Sequence, residues 1–337
     1  VSPTAMVGIG GPCRRGALAA LLAAQAAPPL LPARARGSST VGEPRYQQDT
    51  VSPLYGGKRL ELLVRRFTGV GDPAWTYPRR DLSSRLFATF PPKWPYDAAE
   101  SFRRIDEQPD AAFYEVPRLV YHIDEASVCA LTRYYDDTIQ DGSDVLDICS
   151  SWVSHYPLSF PERMRSIVGT GISEVELSCN TQLSSFVASD LNDSPKLPFA
   201  DKSFDVVTCV VSFDYLTKPL EVVREIGRVL RPGGSVILSQ SNRCFYTKAV
   251  GVWTEDMSDA AHLRVLGNYI HFAGPFDTPR AYDISPQGPG TRDPMVCVRH
   301  SSCLSEGREL TIAPLLSSTL SRRSASDSKS PNQHSPF

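Results

Sequence analysis

From residue 124 onward the chain alternates short apolar runs with stretches whose apolar positions recur at helical spacing. Asp124 can cap a helix carrying Val128, Leu131 and Tyr135 on one side. Val145-Leu146-Asp147-Ile148 then reads as a first strand, and Ser166 to Ile172 as a second. A helix is expected near Glu174–Leu183, and a third strand at Phe186-Val187-Ala188. The run from Asp205 to Val211 is apolar almost throughout, as suits a strand buried on both faces of a parallel sheet. Leu220 to Leu230 predicts an amphipathic helix with Val223, Ile226 and Leu230 together, stopped by Arg231-Pro232-Gly233-Gly234. Ser235 to Ser239 is a fifth strand and Met295 to Arg299 a last one. Strands alternating with helices at this spacing predict an α/β fold with a doubly wound, mainly parallel sheet.

The rest of the chain has other textures. Residues 1–42 contain no acidic residue and carry Arg14, Arg15, Arg34 and Arg36 among alanines and leucines. Such a leader reads as an organelle presequence, plastid or mitochondrial. The apolar run from Ala17 to Ala27, followed by Ala33-Arg34-Ala35, keeps a secretory signal open as the alternative. Residues 43–116 are rich in proline and aromatics, as in PAWTYP and FPPKWPY, and read as an irregular arm packing its rings onto a neighbour. The domain proper spans 117–300. The segment 301–337 is Ser-rich and proline-punctuated, a composition that predicts disorder.

Composition narrows the function classes. A net charge of −2 without a basic stripe argues against a nucleic-acid partner. No apolar run approaches the length of a membrane span. The eight cysteines are scattered with no C-x-x-C pair, so neither a zinc site nor a disulfide framework is expected, and no metal ligand set emerges.

Ligands of open α/β sheets bind beyond the carboxyl ends of the strands, so residues just after each strand are the candidates. Asp147 leads into Cys149-Ser150-Ser151-Trp152; Asp190 follows strand three; Ser212-Phe213-Asp214-Tyr215 follows strand four; Ser241-Asn242-Arg243 follows strand five. Bland readings stand beside these: Asp147 as a strand-end acceptor, Asp190 as a turn-forming residue, Asp214 and Tyr215 as the start of a helix. His155 and His122 lack metal partners at ligand spacing.

The run LPFADKSFDVVTCVVSFDYLTKPLEVVREIGRVLRPGG resembles the central stretch of class I S-adenosylmethionine-dependent methyltransferases of the type 11 group. VLDICSSWVSHYP and SNRCFYTKAV resemble, more narrowly, a little-characterised methyltransferase-like group sharing SSWVSH and SNRCF segments. The similarity covers roughly residues 95–300 and implies a seven-stranded Rossmann-like methyltransferase fold with S-adenosyl-L-methionine as cofactor. By that resemblance Asp147 lies under the cofactor, and the backbone of Cys149, Ser150 and Ser151 approaches its amino-acid portion. Asp190 and the Leu191 amide hold the adenine, while Ser212 and Phe213 line the pocket near the sulfonium. His155, Asp214 and Tyr215 are the candidates for catalysis on a small-molecule acceptor, His155 or Asp214 as base.

Two departures stand out. Serines and tryptophan replace the usual glycine-rich turn after strand one. Gly171 stands where most relatives place a carboxylate for the ribose, with Glu174 as a possible substitute. They motivate the alternative of a binding or scaffold protein that keeps the fold without turnover. A nicotinamide enzyme is disfavoured because no G-x-G-x-x-G follows strand one.

Overall fold

A computed structural model describes residues 46–301, apart from 56, 57, 60 and 275. The leader and almost all of the tail, with the readings placed on them, lie outside the described residues.

The central parallel strands form where the sequence is apolar on both faces. Asp144–Ile148 (β6) is buried at every position. It pairs in parallel with Ser166–Gly171 (β7) on one side and Phe204–Val210 (β9) on the other. Ser185–Ala188 (β8) extends the sheet beyond β7, and Leu230–Gln240 (β10) extends it beyond β9. Val296–Ser301 (β12) then runs antiparallel to β10, followed by Arg280–Asp283 (β11). The sheet order is β5-β11-β12-β10-β9-β6-β7-β8, where β5 is Arg80–Asp81. The eighth strand comes from the proline-rich arm, which adds two residues to the free edge of β11. The winding reverses between β6 and β9, so the chain leaves β6 and β9 at the switch point where open sheets of this kind bind ligands. Outside this sheet, Tyr46–Val51 (β1) pairs with Leu62–Phe67 (β4), and Leu54–Tyr55 (β2) with Lys58–Arg59 (β3).

Four longer helices cover the sheet. Glu125–Thr138 (α1) is capped by Asp124, whose carboxylate accepts from the Ser127 amide at 2.8 Å. Glu174–Cys179 (α2) starts at Ser173 and is shorter than the predicted 174–183, the chain turning at Asn180. Pro219–Val229 (α3) buries Val222, Val223, Ile226 and Val229 against the sheet. Its end differs from expectation: the chain passes directly into β10 at Leu230, and Gly233 supplies a left-handed kink (φ 77°) within that strand.

Asp259–Ala273 (α4) has no counterpart among the predicted elements. The arm's aromatics gather on it. Trp94 lies 5.9 Å from Tyr269 and 5.7 Å from Phe272, and Phe90 stacks on His271 at 4.0 Å. Gly267 makes room for the Phe87 ring, since a Cβ there would sit 2.2 Å from it. No helix among the described residues is long and apolar enough to cross a membrane.

Candidate active site

Beyond the carboxyl ends of the parallel strands lies a cavity of about 300 Å³, at the small end of the range typical for ligand pockets. Asp147, Cys149, Ser150, Ser151, Gly171, Asp190, Leu191, Ser212, Tyr215 and His155 all line it. The loops after β6, β7, β8 and β9 therefore converge on one rim. Two expected residues do not reach it. Phe213 is buried in the main core at 1% exposure, because the 3-10 turn at Phe213–Tyr215 rolls its ring inward against Tyr269. Asp214 is fully buried and outside the cavity lining. A general base must reach the proton it abstracts, so Asp214 is not the base here.

The turn after β6 achieves without glycine what glycine usually provides. Cys149 itself takes the left-handed conformation (φ 52°), and the Ser150 amide bonds the Thr170 carbonyl at 2.8 Å. The serine hydroxyls are engaged within the protein. Ser150 donates to Asp147 at 2.7 Å and Ser151 to Glu176 at 2.6 Å. Trp152 is turned away: its indole donates to the Val120 carbonyl at 2.9 Å and its ring packs on Tyr121. His122 (φ 64°), His155 (φ 58°) and Val211 (φ 41°) also line the cavity in left-handed backbone. Such strain gathers where the surrounding structure imposes it, and for the β-branched Val211 it is pronounced. Cys149→Gly should relieve about 1 kcal/mol of this strain. The expected result is a melting temperature a few degrees higher with cofactor-site binding retained, read by thermal denaturation and calorimetry.

The electrostatics are acidic at the floor and neutral elsewhere. Burial raises the Asp147 carboxyl to about 6, despite hydrogen bonds from Ser154, Ser150 and Thr208. Glu176 replaces Glu174 as the carboxylate near the end of β7. Glu174 is exposed, whereas Glu176 is 2% exposed, lines the cavity and accepts the Arg118 amide at 2.7 Å. Burial also pushes the Glu176 carboxyl upward. Asp190 accepts from the Asn192 amide at 2.8 Å, so it both forms the turn and faces the cavity.

His155 is driven down to about 3, chiefly by burial and secondarily by His122, and its Nδ1 has no hydrogen-bond partner. Burial and Arg118 also lower His122. Both imidazoles are thus neutral at physiological pH. Tyr215 is held far above its ordinary phenol range by burial, and its hydroxyl accepts the Phe245 amide at 2.8 Å. It can position a ligand but will not ionise.

The opposite wall comes from residues outside the strand-end candidates: Phe113, Tyr114 and Val120 from the arm and its extension, and Cys244 and Phe245 after β10. Phe113 meets Phe245 edge-on at 5.0 Å. Asp110, Asn192 and Lys248 complete the floor. No group of three or more metal-ligating side chains occurs among the described residues.

Residues 149–238 match the family described as "Methyltransferase domain". Over this segment the chain is similar to methyltransferase domains. A ubiquinone biosynthesis O-methyltransferase of Pseudomonas aeruginosa is 33% identical over 108 residues, covering 30% of this chain and 46% of that protein. A demethylmenaquinone methyltransferase of Staphylococcus epidermidis is 29% identical over 111 residues, covering 31% and 46%. The chain thus spans about half the length of these curated relatives. A solved methyltransferase of Thermotoga maritima, described as a possible histamine N-methyltransferase, is 15% identical with a TM-score of 0.38, covering 52% of this chain and 90% of that one.

The methyltransferase domain's cofactor is S-adenosylmethionine, and its residues fit that group. The backbones of Gly171 and Ser150 approach closely, the Asp147 and Glu176 carboxyls line the hollow, and Asp190 and Leu191 edge it. Cys149, Ser150 and Ser151 would hold the amino-acid part by their backbone, and Asp190 with Leu191 the adenine.

Proposed function

We propose that this chain transfers a methyl group from S-adenosylmethionine to a neutral, largely apolar small-molecule acceptor. The reading rests on one observation: the acidic strand-end rim and an aromatic wall face each other across a single cavity.

The cations lining that cavity are neutralised within the protein. Lys248 lies 3.3 Å from both Asp106 and Asp110, and Arg243 pairs with Asp293 at 2.8 Å. An anionic acceptor would have to break these pairs. A ring is better suited to Phe113, Tyr114 and Phe245, whose faces and edges favour stacked or edge-on contact. Ile105, Val116, Val120 and Tyr246, each more than half exposed, belong to the same two segments that supply this wall and suit an apolar substituent leaving the cavity. The relatives' names, ubiquinone biosynthesis O-methyltransferase and demethylmenaquinone methyltransferase, are compatible with such an acceptor.

S-adenosylmethionine supplies an electrophilic methyl group on a sulfonium. The chain's task is to align an acceptor with that group and exclude water. Tyr114 and Tyr215, both held protonated by burial, would orient the acceptor. His155 or His122 would take a proton from it, each being uncharged at neutral pH. Because burial lowers both imidazoles, the base form persists as pH falls. With S-adenosylmethionine saturating, so that the Asp147 carboxyl near 6 does not limit the rate, the rate is therefore expected to stay flat from pH 8 down through the ordinary imidazole value of about 6.5. A rate that halves near pH 6.5 would refute histidine burial as drawn.

Calorimetry with S-adenosylhomocysteine, followed by transfer from radiolabelled S-adenosylmethionine to alkylated hydroquinones and phenols, tests the proposal. Binding plus label in the organic extract supports it. Binding without transfer across the panel would favour a non-catalytic binding protein, and absence of binding would remove the cofactor assignment.

A further inference from the structure

The polar floor of the cavity contains a network that the transfer chemistry does not require. Asp110, on the arm, is 7% exposed. The Arg104 guanidinium donates to both of its oxygens at 2.8 Å, and the Asn192 side-chain amide donates to one at 2.8 Å. Lys248 approaches the other oxygen at 3.3 Å and donates to the Gln108 carbonyl at 2.6 Å. Burial alone would raise the Asp110 carboxyl, but Arg104 and Asn192 outweigh it and hold it below its ordinary range.

Asn192 is the junction. Its backbone amide donates to Asp190 at 2.8 Å, next to the residues assigned to the adenine. Its side-chain oxygen accepts from the Thr217 amide at 2.8 Å, and its Nδ2 also donates to the Tyr215 carbonyl at 2.9 Å. One side chain therefore ties together the loop after β8, the loop after β9 and the arm, which lies 82 positions earlier in the chain. The arm end of this clasp precedes Phe113, Tyr114, Val120 and His122, which build the wall opposite the cofactor rim.

We propose that the Arg104–Asp110–Asn192 clasp is a positioning device that couples cofactor binding at the Asp190–Leu191 loop to the seating of the 104–122 arm. Filling the rim fixes Asn192, and Asn192 fixes the arm that forms the acceptor wall. The cofactor is then bound first and the acceptor site completed second. Such coupling is reciprocal, so whatever loosens the arm weakens the cofactor by the same factor. Buried networks of this kind suit the role because a half-satisfied arrangement is costly, leaving few intermediate positions. Asn192 and Asp110 are positioning residues here, acting through the loop and the arm.

The inference rests on the cofactor reading above, and hydrogen–deuterium exchange of the full chain with and without S-adenosylhomocysteine separates the two. The native chain should show slowed exchange in 188–194 and also in 104–122 when the ligand is added. Asn192→Ala changes none of the charges of Arg104, Asp110 and Lys248. It should weaken ligand binding about tenfold, within the usual range of coupling between sites, and confine the protection to 188–194. Ligand protection of 188–194 alone in the native chain would overturn the coupling while leaving the cofactor reading intact. Retained protection of the arm in Asn192→Ala would overturn it too. Failure of the native chain to bind the ligand would overturn both. Should the variant not fold, the native measurement decides alone.

Discussion

Gly171→Asp is expected to weaken S-adenosylhomocysteine binding severely, although it installs the carboxylate that the family resemblance implies at the end of the second strand. A Cβ at Gly171 would lie 2.1 Å from the Ser150 carbonyl oxygen, a distance no real contact reaches. Both groups are backbone. Ser150 is fixed by the hydrogen bond its amide donates to the Thr170 carbonyl, and Gly171 by accepting from the Ser189 amide at 2.8 Å. Relief requires the Cys149–Ser151 turn to move away from β7, and that turn is the surface assigned to the amino-acid part of the cofactor. Forcing atoms into a packed site costs about 1–3 kcal/mol or more, and here the distortion falls on the binding surface itself. The dissociation constant should rise at least about 100-fold, the equivalent of some 2.7 kcal/mol. Gly171→Ala should lose most of the same affinity, since the clash belongs to Cβ. Calorimetry on both variants, with circular dichroism to confirm folding, checks the prediction. Tighter binding by the aspartate variant would show that the ribose carboxylate was simply missing. The structure argues otherwise: the turn has taken the space at β7, and the nearby carboxylate comes from Glu176, the third residue of α2.

That substitution shows what the sequence could reveal and what it could not. The parallel strands were legible because burial on both faces leaves unbroken apolar runs, as in Phe204–Val210. Their ends were legible because the chain must turn there, which placed Asp147, Asp190, Ser212 and Tyr215 at the rim before any coordinates. Which residue in a turn faces the hollow was not legible. Glu174 and Glu176 are two positions apart, and only the pitch of α2 beyond Ser173 decides that the second points inward. Phe213 and Asp214 face the core for a similar reason: the tight 3-10 turn after the strand, not the strand end itself, sets which way each side chain points. The opposite wall depends on pairings such as Asn192 with Asp110, which no local pattern announces. The helix α4 is a different matter. Ser258 in front, Gly274 behind, and Leu263, Leu266 and Ile270 at helical spacing were all present, but Gly267 and the prolines that follow at 275 and 279 diluted the pattern.

Asp214→Asn should stabilise the protein at pH 8 and do little at pH 4. The Asp214 carboxyl is fully buried, and burial raises it to about 8. Neither oxygen makes a hydrogen bond of good geometry, although the Gln240 amide and Tyr215 lie alongside and pull slightly the other way. The folded state therefore holds a proton that the unfolded chain releases near the ordinary aspartate value of 3.8. Between those two values the native form binds more protons than the unfolded form, so stability declines as pH rises and levels off above about 8. Below about 4 both states are protonated and the effect is absent. An asparagine is close in shape and cannot ionise, so it removes the decline without emptying the space. With each tenfold in proton affinity worth about 1.4 kcal/mol, a gain of at least about 2 kcal/mol at pH 8 is expected, after allowing for relaxation of the site. Urea denaturation of both chains at pH 4, 6 and 8 measures it as a stability difference that widens with pH. An equal difference at all three pH values would mean that Asp214 is ionised in the fold and solvated by a partner. Loss of stability at pH 8 would mean that its charge is used. Ligand binding should be unaffected throughout, because this carboxyl stands behind the cavity wall.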